Sequence, residues 1–280
     1  MFVNACFIDQ NLLIDNSEET NWHVHSKYKN SFNIQDERKQ TLVVVTTTNY
    51  PFMPNGIYLE AVDFSRLLGT VEIGETITWK QNSLHFSKNH LFLMHGKTYS
   101  SVVEITQKIC KASQEKLFSY TNTILKETGS QNTLAQFIEA RHPFSEAIQL
   151  LCQEESIQQK KGLNFLLGRG AGLTPSGDDM IVGHLAARFL LKKEHPILTN
   201  LLTELLTEQS LTTDISKHYL LCAISGRFSE PVLRLVAVLM SESKEEQIES
   251  IVKSVIAVGH TSGVDLLAGF LTTIKVLSAS

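Results

Sequence analysis

The residues most able to do chemistry lie at 168–179, which read Gly168-Arg169-Gly170-Ala171-Gly172-Leu173-Thr174-Pro175-Ser176-Gly177-Asp178-Asp179. Glycines this dense are costly in chain entropy, but they let a backbone approach a ligand closely. An apolar run from Met180 to Leu190 follows, interrupted by Gly183, His184 and Arg188. Being apolar on most sides, it predicts a buried helix. A second segment echoes the first: Gly259-His260-Thr261-Ser262-Gly263-Val264-Asp265, then Leu266 to Leu271 with Gly269. With Pro175 skipped, Gly172, Thr174, Ser176, Gly177, Asp179 and Gly183 match Gly259, Thr261, Ser262, Gly263, Asp265 and Gly269. The agreement points to an internal duplication, or to two halves of one site.

Each copy sets a serine three residues before an aspartate, a spacing like that of a capping box at a helix start. Gly177 and Gly263 leave first-turn N–H groups unobstructed, where an anion such as phosphate or carboxylate could bind with help from the helix dipole. Arg169 would add a cation, and His260 is a further donor beside the second copy. Gly183 and Gly269 are placed to let two helices cross closely and bring their polar N-termini together. The candidate binding set is therefore Arg169, Gly170, Gly172, Thr174, Ser176, Gly177, Asp178, Asp179, His260, Thr261, Ser262, Gly263 and Asp265. No catalytic residue is assigned.

Known phosphate motifs do not fit. Gly172 and Gly177 have Walker-like separation, but Asp178 stands where lysine belongs, and Gly168-x-Gly170-x-Gly172 lacks the final spacing of a dinucleotide fingerprint. No definite cofactor is called for. A divalent cation such as magnesium at Asp178 and Asp179 is the one candidate, although adjacent helical residues point about 100° apart. His23-x-His25 reads as an exposed polar stretch without further ligands. His184 and Arg188 share a helix face and would either line the pocket or form a core polar pair. Cys222, without an obvious His–Asp partner, reads as core.

The supporting elements change character near residue 100. Thr41–Thr48 is a β-branched run, and Ile57–Leu59, Val71–Ile73, Glu75–Trp79, Ser83–Ser87 and Leu91–Met94 are short apolar or alternating runs between turns. They predict a small antiparallel, barrel-like sheet, with one helical turn at Phe64–Leu68. Helical periodicity then predicts helices over 102–126, 144–158, 178–193, 196–209, 213–225, 231–241, 244–258 and 264–278. The fold class is α+β, with a β-rich domain over 1–100 and a mainly helical domain over 101–280, joined near Gly96–Ser101.

Among the 280 residues, 25 Lys+Arg against 29 Asp+Glu give a net charge of -4, which argues against a broad nucleic-acid-binding face. No apolar stretch approaches the roughly 20 residues that cross a bilayer. The opening MFVNACFIDQ lacks the features of a secretory leader, and four scattered cysteines suit a reducing compartment, so a cytoplasmic protein is expected.

The 168–179 segment with Gly183 resembles the signature of the AllH-like family, formerly a domain of unknown function. Thr261–Gly269 is similar to the family's second signature and Thr213-Asp214-Ile215-Ser216 to a lesser one; the β half matches in layout. The resemblance implies the small subunit of oxamate carbamoyltransferase, a cytosolic hetero-oligomer of anaerobic allantoin breakdown and hence purine catabolism. That enzyme would phosphorolyse carbamoyl-oxamate to oxamate and carbamoyl phosphate, and the chain would take part in catalysis within the complex. The implied partners are the other subunits and a small anionic substrate, with no nucleic acid and no membrane. The Ser-Thr-Arg-Thr loop of aspartate- and ornithine-type carbamoyltransferases is absent, so their fold is not implied. A non-catalytic assembly or ligand-binding subunit, and a stand-alone enzyme acting on another phosphate or carboxylate compound, remain alternatives.

Overall fold

The structure is a computed structural model that describes residues 2–13, 19–139 and 142–278. The chain divides into two compact units, Met1–Ser101 and Val102–Ser280.

The first unit is built on ten strands: β1 (Phe2–Asn4), β2 (Phe7–Asp9), β3 (Thr20–Lys27), β4 (Ser31–Asp36), β5 (Leu42–Thr47), β6 (Gly56–Leu59), β7 (Thr76–Lys80), β8 (Ser83–His85), β9 (His90–Phe92) and β10 (Lys97–Tyr99). They form one sheet in the order β1-β9-β8-β7-β3-β4-β5-β6-β2-β10. Most neighbours are antiparallel, while β1 with β9, β2 with β10 and β5 with β6 are parallel. Only Ala5 and Cys6 separate β1 from β2, yet these strands belong to opposite ends of the order. Ala5 N–H donates to Phe92 O (2.9 Å) and Cys6 N–H to Tyr58 O (2.7 Å), so the strand changes partners between consecutive residues. A chain that advances 3.8 Å per residue can do this only if the sheet curls until its ends approach. Alternating side chains fill the concave side: Ile8, Val24, Phe32, Ile34, Val43, Val45, Ile57, Ile77, Trp79 and Leu84 are buried together. Helix α1 (Ala61–Leu68) adds Phe64 and Leu67 to that core.

Three expectations change in this unit. Val71–Ile73 forms a turn, because Glu75 accepts Glu72 N–H through its side chain and returns its own N–H to Glu72 O. The helical turn at Phe64–Leu68 begins earlier, at Ala61. His23 and His25 lie on β3 and are half-buried.

The second unit contains α2 (Lys111–Thr121), α3 (Leu134–Glu139), α4 (Pro143–Leu151), α5 (Ser156–Leu166), α6 (Ser176–Leu191), α7 (Pro196–Glu208), α8 (Asp214–Ile224), α9 (Glu230–Leu239), α10 (Glu245–Ile256) and α11 (Ser262–Ser278). The expected helix over 102–126 is restricted to Lys111–Thr121. Its β-branched start runs extended instead, with Val103 N–H on Gly226 O and Cys110 N–H on Leu239 O. The expected helix over 144–158 breaks at Cys152–Glu155 into the α4–α5 hairpin, where Gly162 of α5 lies against the Ala147 carbonyl. Helix α3 has no counterpart among the expected elements.

At the centre α6 crosses α11 in the most extensive helix contact of the unit. A Cβ on Gly183 would stand 1.9 Å from Leu266 O, and one on Gly269 would stand 2.0 Å from Met180 O. The two glycines thus lie reciprocally against the partner backbone, as their shared spacing predicted. No helix among the described residues is long and apolar enough to cross a membrane.

Gly183→Ala forces this crossing apart and is expected to cost about 3 kcal/mol or more. Gly69→Ala, whose Cβ would meet nothing nearer than 3.4 Å, should change stability by less than about 1 kcal/mol. Urea unfolding of the two variants checks the contrast.

Candidate functional site

The crossing brings the first turns of α6 and α11 side by side. Thr174 Oγ1 lies 3.0 Å from Ser262 Oγ, linking the first motif to the second. Asp179 is faced by the hydroxyls of Ser262 and Thr174, and Asp265 by those of Ser176 and Thr261. Each aspartate therefore meets the serine of the other helix and the threonine of its own. The expected capping box is not what these residues form. Ser176 is already helical, its N-cap Pro175 supplies no side-chain bond, and its hydroxyl serves across the crossing.

The approach to each tip is repeated as well. A Cβ on Gly177 would stand 2.0 Å from Leu166 O near the end of α5, and one on Gly263 would stand 1.9 Å from Val255 O near the end of α10. Gly177 N–H donates to Arg169 O (2.9 Å) and Gly263 N–H to Val258 O (3.1 Å). Two helix–turn–helix units, α5–α6 and α10–α11, thus share one design. Gly170 (φ 127°) and Gly259 (φ 62°) each lie against the serine that opens the following helix. The structural counterpart of Gly259 is therefore Gly170, where the sequence match had suggested Gly172. Extra residues in the first turn shift the frame, and Gly172 (φ 98°) stands in open space.

Asp178 and Asp179 face different surroundings. Asp178 Oδ1 accepts Gly168 N–H (2.9 Å), while its Oδ2 accepts the hydroxyls of Ser216 (2.6 Å) and Thr212. Thr213 Oγ1 caps α8 by accepting Ser216 N–H and donates to Leu173 O. Asp178 and Thr213 thereby tie the glycine-rich loop to the start of α8. Burial raises the Asp178 carboxyl above its ordinary value, against the three donors.

Asp179 is pushed up to about 8, chiefly by burial and secondarily by repulsion from Asp265, with the Ser262 and Thr174 hydroxyls opposing. Burial also raises Asp265, against the pull of Gly129 N–H (2.9 Å) and of the Ser176 and Thr261 hydroxyls. Asp265 is fully buried, and neither its Oδ2 nor that of Asp179 has a hydrogen-bond donor. Gly129, between α2 and α3, was not legible as a site residue. It sits in an ordinary Thr-Gly-Ser turn, and only the fold brings it against Ser176 and Asp265.

The remaining candidates are peripheral. Arg169 is exposed, with its guanidinium carbon 4.1 Å from the Phe165 ring centroid and Nε on Phe165 O (2.6 Å). His260 is exposed at the second turn. Among the described residues, no group of three or more His, Cys, Asp or Glu side chains is placed to hold a metal ion. His184 and Arg188 form the core pair of the two readings. Arg188 Nε donates to His184 Nε2 (2.9 Å), which leaves the proton on Nδ1 to donate to Thr273 Oγ1 (2.8 Å). Arg188 also reaches the Lys193 and Leu151 carbonyls. Complete burial keeps His184 neutral. Cys222 is buried, with Sγ 3.7 Å from His218 Nε2, one turn earlier on α8.

Comparison with known families matches residues 166–274, which carry both tips, to the model described as oxamate carbamoyltransferase subunit AllH. Residues 4–98 match the AllH family N-terminal domain. The chain belongs to the AllH family. The AllH match begins at the end of α5 and runs into α11, so it takes in the paired carboxylates, the α8 tether and the glycine crossing. No solved structure matches the chain.

A carboxyl group held above its ordinary range binds a proton on folding. The unfolded chain releases that proton near pH 4, and the folded chain near 8. Asp179 thus favours the folded state fully at acid pH, and this contribution declines as pH rises from about 4 to 8. Asp179→Asn should flatten that dependence. Relative to the variant, the parent should lose about 5 °C or more of melting temperature between pH 6 and 8.5, measured by circular dichroism.

Proposed function

We propose that the chain is the AllH subunit of an oxamate carbamoyltransferase complex and that its paired helix tips contribute the substrate site. The complex phosphorolyses carbamoyl-oxamate to oxamate and carbamoyl phosphate, in allantoin and purine catabolism. One observation carries this reading: within the family's matched region, two distant motifs meet as one cluster of four hydroxyls and two carboxyl groups, that of Asp265 fully buried. Such a cluster is expensive to build in a hydrophobic core, and scaffolding does not require it.

In this reading Thr174, Ser176, Thr261 and Ser262 orient the substrate, Asp179 and Asp265 bind its polar end, and Gly129 N–H holds Asp265 in place. Asp178, Thr212 and Ser216 fix the glycine-rich loop. The attacking group is phosphate itself, so no serine or cysteine nucleophile is needed. Gly177 and Gly263 N–H groups are engaged by loop carbonyls, so phosphate is met by other groups of the complex. Arg169 and His260 belong to the rim.

Co-expression with candidate partner subunits, followed by an assay of oxamate-dependent carbamoyl transfer, tests the proposal. The chain should co-purify with its partners and be required for turnover. Asp265→Asn should lower kcat/KM by roughly 100-fold or more, as expected for removing a group that acts on the reacting substrate. Full activity without this chain, or in Asp265→Asn, would remove the assignment.

A further inference from the structure

Resting on the reading of this cluster as the substrate site, we infer that Asp179 and Asp265 together form a receptor for N–H donors, a carboxamide or ureido –NH2, and not an anion site. The sequence alone pointed the other way, toward phosphate or carboxylate at the helix tips.

Three independent features support the change of sign. First, the first-turn backbone donors of Gly177–Asp179 and Gly263–Asp265 are engaged. Gly177 N–H is on Arg169 O, Asp178 and Asp179 N–H are on Pro175 O, Gly263 N–H is on Val258 O, and Val264 and Asp265 N–H are on Thr261 O. Second, Arg169, the arginine of the glycine-rich loop, lies over Phe165 with its Nε committed to the Phe165 carbonyl. Third, two buried acceptor atoms, Asp179 Oδ2 and Asp265 Oδ2, have no donor, although Asp265 is fully enclosed. A buried carboxyl oxygen without a hydrogen-bond partner is costly and calls for an explanation. An –NH2 group carries two protons and no charge, so it can supply a donor to each oxygen.

The surroundings fit that occupant. The four hydroxyls can rotate to donate to a substrate carbonyl or to accept from its nitrogen. Thr174, Asp179, Thr261 and Ser262 are half-buried beside the fully buried Asp265, so the polar cluster extends from the interior toward solvent.

The test is isothermal titration of the full chain, alone and within the co-expressed complex, with oxamate, oxalate, inorganic phosphate and magnesium chloride. Oxamate and oxalate differ chiefly in an –NH2 against an oxygen. Oxamate should bind, with oxalate and phosphate at least about tenfold weaker. Asp265→Asn keeps an oxygen for Gly129 N–H and replaces Oδ2 by a donor, so it should weaken oxamate by about 10- to 100-fold. Asp179→Asn serves if that variant does not fold.

Equal binding of oxalate, no oxamate binding by chain or complex, or oxamate binding unchanged in both variants would overturn the inference. So would saturable magnesium binding lost in both variants without any preference for the amide. The functional reading fails separately. A chain that prefers oxamate but joins no carbamoyltransferase would keep the receptor and lose the complex. An active complex without that preference would do the reverse.

Discussion

The rest of the helical unit depends on the direct apposition of two backbones, where Gly183 of α6 meets the Leu266 carbonyl and Gly269 of α11 meets that of Met180. Glycine inside a helix costs about 1 kcal/mol relative to alanine. That cost is small beside the gain from burying Met180, Ile181, Leu185, Leu190, Leu267, Phe270, Leu271 and Ile274, each of which contributes about 1.5–3 kcal/mol. Without the crossing the helix tips would stand a side chain further apart. Ser176 could then not face Asp265, nor Ser262 face Asp179. Two residues with no functional group thus set the geometry of those that have one.

The exchange of serines between helices explains why buried carboxylates are tolerated here. Desolvation works against both charges, and the hydroxyls recover part of what water supplied. Because each helix lends hydroxyls to the carboxyl group of the other, neither tip is complete alone. This reciprocity matches the duplicated lead-in, where Gly177 and Gly263 sit against the ends of α5 and α10. Asp178, next in sequence to Asp179, serves the other purpose. With three donors and no free oxygen, it anchors the loop to α8.

Much of the site could be read from residue spacing. The paired template located both tips, and the shared glycines foretold the crossing, because close helix contact leaves a fixed pattern of small residues. The direction of the hydroxyls was not legible. Ser-x-x-Asp is compatible with a local cap and with a partner across a crossing, and only tertiary packing chooses between them. Gly129 carried no signal, since its role comes from one N–H and from where the chain passes. In the first unit, a β-branched run revealed β5, short apolar runs β6 and β9, and alternation β7 and β8; β1, β2 and β10 are too short for periodicity to register, and the polar residues within β3 and β4 hid those strands. The start of the expected helix at 102 failed for a related reason: Val102 to Ile105 can pair with distant backbone, and a weakly amphipathic pattern does not outweigh that.

The strand that changes partners between Ala5 and Cys6 has a kinetic corollary. Val3 is registered with Leu91, and Ile8 lies between Ile57 of β6 and Thr98 of β10, so the earliest residues of the unit gain their full set of neighbours only when the last strands exist. Such long loops close slowly, and until then Val3 is without its partner strand and Ile8 is paired on one side alone. During synthesis the first unit must therefore wait, nearly whole, for its own final segment before its interior can be sealed.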